Sequence, residues 1–97
     1  MFLEIVTPEA ILFSSEVDSI FVPGINGEFQ MLNNHAPVVS ILKEGTVKVH
    51  VHSQEQIVST ELKGKMQVHQ DDKNVLTLSI SSGTLEFNDN KAIILAD

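Results

Sequence analysis

Cysteine does not occur in the 97 residues, which excludes disulfides, thiolate metal sites and thiol nucleophiles together. A small secreted scaffold held by bridges is excluded with them, and redox chemistry leaves the compartment open. Tryptophan and tyrosine are also missing, so five phenylalanines supply the whole aromatic content of 5%. Arginine is absent: all six basic residues are lysines, set against 13 acidic residues for a net charge of −7. No lysine precedes Lys43, so residues 1–42 carry Glu4, Glu9, Glu16, Asp18 and Glu28 with no cationic partner expected. Counterion release needs clustered Lys or Arg, which makes nucleic acid or an anionic lipid surface a poor ligand. A partner of the first half should be neutral or basic. No apolar run approaches the ~18 residues of a membrane helix, and no basic region precedes an apolar one at the N-terminus.

What is present is period two. The 42% of hydrophobic residues allow one core, and the length allows one domain, residues 1–97. Residues 46–52 alternate cleanly, with Val47, Val49 and Val51 on one face and polar groups opposite, as a half-buried strand requires. In residues 27–32, Phe29 and Met31 share one face and Glu28 and Gln30 the other. Further strands are expected at 2–6, 11–13, 16–22, 38–42, 57–62, 66–69, 75–81, 84–87 and 92–96. Turn residues punctuate them at Pro8-Glu9, residues 23–27, Asn33-Asn34, residues 43–45 and residues 88–90. Short strands at this spacing predict an all-β fold, an antiparallel β-sandwich or flattened barrel of about ten strands. No window sustains a helical stripe. Residues 52–74, polar and charged, read as a longer hairpin or a mobile excursion.

Candidate chemistry is sparse. His50 and His52 lie two apart on a strand, so both would face one side as a zinc pair could. A third ligand would have to come from His35, Glu55 or His69, and no spacing forces any of them close; solvated side chains are the simpler reading. Ser14, Ser15, Ser81 and Ser82 lack a nucleophile elbow. No glycine-rich loop opens a helix to cradle phosphate. Asp72-Lys73-Asn74 at a hairpin tip is the pattern of a lysine carrying lipoyl or biotin, though these are also ordinary turn residues.

Residues 23–37 differ in kind. Gly24 and Gly27 permit positive φ, Asn33 or Asn34 tolerates the left-handed region, and Pro37 biases Ala36 toward extended geometry. A loop this elaborate, in a chain without a catalytic set, points to docking.

Here the sequence resembles the N-terminal β-sandwich of the epsilon subunit of F-type ATP synthases. Three blocks carry the resemblance in the family's order. The first runs Phe2-Leu3-Glu4-Ile5-Val6-Thr7-Pro8-Glu9 to Leu12-Phe13. The second runs Val17-Asp18-Ser19-Ile20-Phe21-Val22-Pro23-Gly24-Ile25-Asn26-Gly27-Glu28-Phe29, then Leu32-Asn33-Asn34-His35-Ala36-Pro37. The third runs Ser82-Gly83-Thr84-Leu85-Glu86-Phe87 and closes on Ile93-Ile94-Leu95-Ala96-Asp97. Asn33-Asn34 stand where the family often has Pro-Gly, and Ser82 replaces the first of a common Gly-Gly pair.

The resemblance implies a non-catalytic subunit of the central stalk, without cofactor. It would dock the gamma subunit onto the membrane c-ring and couple proton-driven rotation to ATP synthesis in the alpha/beta head. It also implies a place at the cytoplasmic face of the bacterial inner membrane, touching the membrane only through the ring. The family's ring loops are basic, in keeping with the acidic first half. By resemblance, Asn26, Gly27 and Glu28 face the ring, Thr7 and His35 face gamma, and Gly24, Gly27, Asn33, Asn34, Ala36 and Pro37 set the loop. A chain ending at Asp97 corresponds to a short form without the helical hairpin by which longer relatives inhibit hydrolysis or bind ATP. The alternatives are a carrier domain using Lys73 and a binding module with a His50/His52 metal site.

Overall fold

The structure, a computed structural model, describes residues 1–52, 66–69, 72 and 74–97; the expected strand at 57–62 and Lys73 lie outside them. Ten strands follow in chain order among the described residues. They are β1 Phe2–Val6, β2 Ile11–Glu16, β3 Ser19–Gly24, β4 Gly27–Leu32 and β5 Val38–Leu42, then β6 Gly45–His50, β7 Gln67–Val68, β8 Val75–Ile80, β9 Gly83–Asn88 and β10 Lys91–Ala96. They join in one sheet, in the order β2-β1-β10-β9-β5-β3-β6-β8-β7, with β4 paired to β3. The sheet curls until its two halves face each other, as a β-sandwich must to bury one face of every strand.

Alternation in the sequence decides which face that is. Leu3 and Ile5 of β1, Leu85 and Phe87 of β9, and Ala92 and Ile94 of β10 point inward from one half. Ile20 and Val22 of β3, Val47 and Val49 of β6, and Leu76 and Leu78 of β8 meet them from the other, in one continuous core. Val51 and Met66 extend that core beyond the strand ends. Ile20, Val47, Ile94 and Leu85 are fully removed from water, each worth about 1.5–3 kcal/mol of transfer free energy.

Four particulars differ from the sequence reading. β1 and β10 run parallel, Phe2 beside Lys91 and Val6 beside Leu95, while the other pairings among the described residues are antiparallel. β2 continues through Ser14, Ser15 and Glu16, polar residues that nevertheless pair with Glu4, Leu3 and Phe2 at a sheet edge where one face meets water. β3 begins at Ser19, because residues 17 and 18 form a corner in which the Val17 amide donates to the Met1 carbonyl (2.8 Å) and the Asp18 amide to the His50 carbonyl (2.8 Å). β6 ends at His50, two residues before His52.

The acidic first half does have cationic neighbours. The Met1 ammonium lies 3.5 Å from a Glu16 carboxylate oxygen, and His52 Nδ1 lies 3.6 Å from an Asp18 carboxylate oxygen, a pair charged only when the imidazole is protonated. The first of these could not be read from side chains alone, since the cation is the amino group of the first residue.

Candidate docking surface

The two halves of the curled sheet present unlike outer faces. On the half built from β2, β1, β10, β9 and β5, the register aligns Ile11, Val6, Leu95, Thr84 and Ile41 in a single cross-strand row. Ile41, Leu95 and Ile11 are 60%, 53% and 53% exposed. The Ile25 amide donates to the Ile41 carbonyl at 3.0 Å, which brings the β3–β4 turn, with exposed Ile25, to the end of the row. The neighbouring row reads Val39, Glu86, Ile93, Glu4, so the apolar row is flanked by two carboxylates. On the other half the corresponding row is Phe21, Lys48, Thr77, Gln67. Among the described residues, one outer face therefore carries an apolar row with an acidic margin, and the corresponding row of the other is largely polar. Contiguous apolar surface rimmed by charge is what a docking face requires.

The β3–β4 turn places Asn26, Gly27 and Glu28 in solvent beside β5. Of the two glycines expected to adopt positive φ, Gly27 does so, at 129°. Neither Ile25 nor Asn26 has positive φ, so the left-handed conformation of the hairpin falls on the glycine, and the register runs unbroken to the Gly24–Gly27 pair. Gly24 serves a different need, which is space. A Cβ there would lie 2.8 Å from the Gly27 carbonyl oxygen and 2.8 Å from the Phe29 ring. Glu28 is exposed and pairs with Pro23 across the hairpin. A shallow cleft between the turn and β5 is lined by Ile25, Asn26, Glu28, Phe29 and Val39, joining a carboxylate to apolar surface.

Thr7 lies in the β1–β2 connection, where its amide (2.9 Å) and its hydroxyl (3.2 Å) both donate to the Ala10 carbonyl. A cleft beside it is lined by Val6, Ile41, Leu95 and Asp97, so Thr7 borders the apolar row. His35 lies at the opposite end of the same half. Its ring stands edge-on to Phe87, 6.0 Å between centroids, and its Nδ1 is 2.7 Å from the Ala36 carbonyl oxygen. From Gly83, near Thr7, to Phe87 is four residues of β9, about 14 Å at about 3.4 Å per residue. The structure thus sets Thr7 and His35 at opposite ends of one half of the sheet, Thr7 beside the outer row and His35 against the inward-facing Phe87.

The loop carrying His35 is held by side chains. Asn34 is the residue that takes the left-handed conformation, φ 61°, and its amide donates to Asn90 Oδ1 at 2.8 Å. Asn33 keeps negative φ and uses its side-chain oxygen to accept from the Met1 amine. Residues 35–37, including Ala36 and Pro37, lead irregularly into β5.

These features fit a known family. Residues 1–76 match the family described as ATP synthase, Delta/Epsilon chain, beta-sandwich domain. The chain belongs to this family. It is 35% identical over 95 residues to the ATP synthase epsilon chain of Chlorobaculum tepidum, spanning 98% of this chain and 86% of that one. With the ATP synthase epsilon chain of Desulforamulus reducens it shares 33% over 95 residues, but covers 57% of that longer protein. Among solved structures, a chain of the Euglena gracilis mitochondrial ATP synthase (OSCP/F1/c-ring) superposes with a TM-score of 0.71 at 19% identity. This chain is covered over 97% of its length and spans 48% of that one, a likeness of fold. A chain of the Tetrahymena thermophila central stalk/c-ring structure superposes with a TM-score of 0.66 at 12% identity, covering 98% and 61%.

As an epsilon-type β-sandwich, the chain leaves the rival readings little to stand on. The His50 ring is tilted against Phe21, 6.0 Å between centroids, while His52 lies past the strand end beside Asp18. Among the described residues no three His, Asp or Glu gather as a metal site. Lys73 lies outside the described residues, and family membership displaces the carrier reading. The apolar outer row was not anticipated. Its trace in the sequence is that residues 38–42 and 92–96 are apolar at nearly every position, more than a half-buried strand needs.

Proposed function

We propose that this epsilon-type chain is a non-catalytic subunit of the rotor of an F-type ATP synthase. It docks gamma onto the c-ring and so couples proton-driven rotation to ATP synthesis in the alpha/beta head. The observation that carries this reading is the exposed apolar row running from the β1–β2 connection to the β3–β4 turn, which among the described residues is found on one half of the sheet. Gamma covers that face beside Thr7 and reaches His35 at the far end of the same half-sheet. The ring meets the tip at Asn26, Gly27 and Glu28, where the Glu28 carboxylate faces basic loops. The relatives' names and the assemblies to which the fold neighbours belong support the placement. Rigid transmission suits a sandwich whose strands are tied by backbone ladders; a shaft part must not yield under load. The chain resides at the cytoplasmic face of the bacterial inner membrane and meets the membrane only through the ring; among the described residues no helix is long and apolar enough to cross it.

Native purification through a tag on this chain tests the reading. Copurification of gamma, alpha and beta in stoichiometric amounts, with c subunits retained in mild detergent, is the expected result. A chain that purifies alone from membranes with an intact ATP synthase overturns it.

A further inference from the structure

We infer that the Asn26-Gly27 peptide at the β3–β4 turn is a site of spontaneous covalent modification, at which the Asn26 amide is lost through a cyclic imide. Asparagine is among the thermolabile side chains, and its lability depends on the next residue. The reacting nucleophile is that residue's own backbone nitrogen, so a following side chain obstructs the attack. Asn26 is the one asparagine of this sequence followed by glycine; the others precede Asn34, His35, Val75, Asp89 and Lys91. Both partners are exposed. No heavy atom lies within 4 Å of the place a Gly27 Cβ would occupy, so solvent reaches this side of the peptide.

The chemistry is complete with water as the only co-reactant. The Gly27 nitrogen adds to Asn26 Cγ and loses its proton as the new C–N bond forms. The bond from Cγ to the amide NH2 breaks, and ammonia leaves. Water then opens the five-membered imide at either carbonyl, yielding an aspartyl or an isoaspartyl linkage at position 26. Nothing is oxidised or reduced.

The turn is poorly built to absorb the second product. An isoaspartyl linkage adds one atom to the main chain between Ile25 and Gly27, inside a two-residue turn closed by the Gly24–Gly27 pair. That closure has no slack, since even a methyl group on Gly24 would collide with the Gly27 carbonyl and the Phe29 ring. Either product also adds a carboxylate two residues from Glu28. The altered tip would therefore differ in shape and charge where the proposed ring contact lies, a consequence that rests on that reading.

The test is peptide mapping by mass spectrometry of the purified chain, held folded at mildly alkaline pH for increasing times. The peptide containing Asn26 should gain the NH2-to-OH mass difference before those containing Asn33, Asn34, Asn74, Asn88 or Asn90, and should then accept methyl label from an isoaspartyl methyltransferase. Gly27→Ala should slow the conversion about tenfold or more, equivalent to about 1.4 kcal/mol in barrier. Because alanine is strained at that φ, the order of conversion among the wild-type asparagines stands as an independent measure. Conversion of Asn90 or Asn34 ahead of Asn26, or no conversion at Asn26 while the others react, overturns the inference. The measurement is made on the isolated chain, so its failure is distinguishable from failure of the docking role.

Discussion

Replacing Ile41 and Leu95 together by threonine should leave the sandwich folded and weaken its hold on gamma. Both side chains lie on the outer row, 60% and 53% exposed, on strands that threonine suits. Full burial of such a side chain contributes about 1.5–3 kcal/mol. Scaled by the exposed fractions, a partner covering both gains about 1.7–3.4 kcal/mol, most of which threonine forfeits. At about 1.4 kcal/mol per decade, the dissociation constant should rise roughly 10- to 200-fold. Calorimetric titration of purified gamma into wild-type and variant chains measures this, with thermal melting as the check on folding. Lys48→Gln, on the polar outer face, is the control and should not change affinity. A folded double variant that binds gamma within twofold of wild type would refute the assignment of this face.

Other outcomes follow from single contacts. Gly83→Ala places a Cβ 2.5 Å from the Leu95 carbonyl oxygen, a main-chain atom in a ladder, and should cost about 1–3 kcal/mol, a fall of several degrees or more in melting temperature. Asn90→Gly keeps positive φ available while deleting the acceptor of the Asn34 amide; stability should drop by about 1.5 kcal/mol or less, with hydrogen exchange at that amide accelerating. Glu28→Lys should fold normally but impair coupling of proton flow to ATP synthesis, whereas Glu28→Ala should cost about 1 kcal/mol or under; wild-type pumping by assembled Glu28→Lys complexes at low salt would remove Glu28 from the contact.

How far the fold could be read from the residues depended on whether local pattern or distant pairing decided each element. Val47, Val49 and Val51 alternate against Thr46, Lys48 and His50, and they are the inward residues found. Phe29 and Met31 against Glu28 and Gln30 is a second local pattern that fixed a strand. The residues suggest a strand ending at Phe13 and another starting at Glu16, because Ser14 and Ser15 suit a turn as well as a strand; only pairing with β1 joins Ser14, Ser15 and Glu16 to β2. The parallel meeting of β1 and β10 has no local signature at all. The candidate surface divides the same way. Glycines and asparagines at the tip and the His35 loop were visible as turn chemistry, although Gly24 proved to need room rather than positive φ. The apolar row was hidden because Ile11, Val6, Leu95 and Ile41 become neighbours only through the register of five strands.

The parallel pairing of β1 with β10 also sets a kinetic condition. Phe2 and Lys91 come from opposite extremes of the described chain, and between them they join the β1–β2 hairpin to everything else. Such a junction has a high contact order, and closing so long a loop must precede the contacts that reward it. During synthesis, the β3–β4 hairpin and the β6–β8 pair can form early, but β1 has no central neighbour until residues 91–96 emerge. Until then Leu3 and Ile5 lack the neighbouring strand of their half-sheet, and the β1–β2 hairpin carries unpaired strand edges. Of the ten strands described, the last to be made is therefore the one that fastens the first.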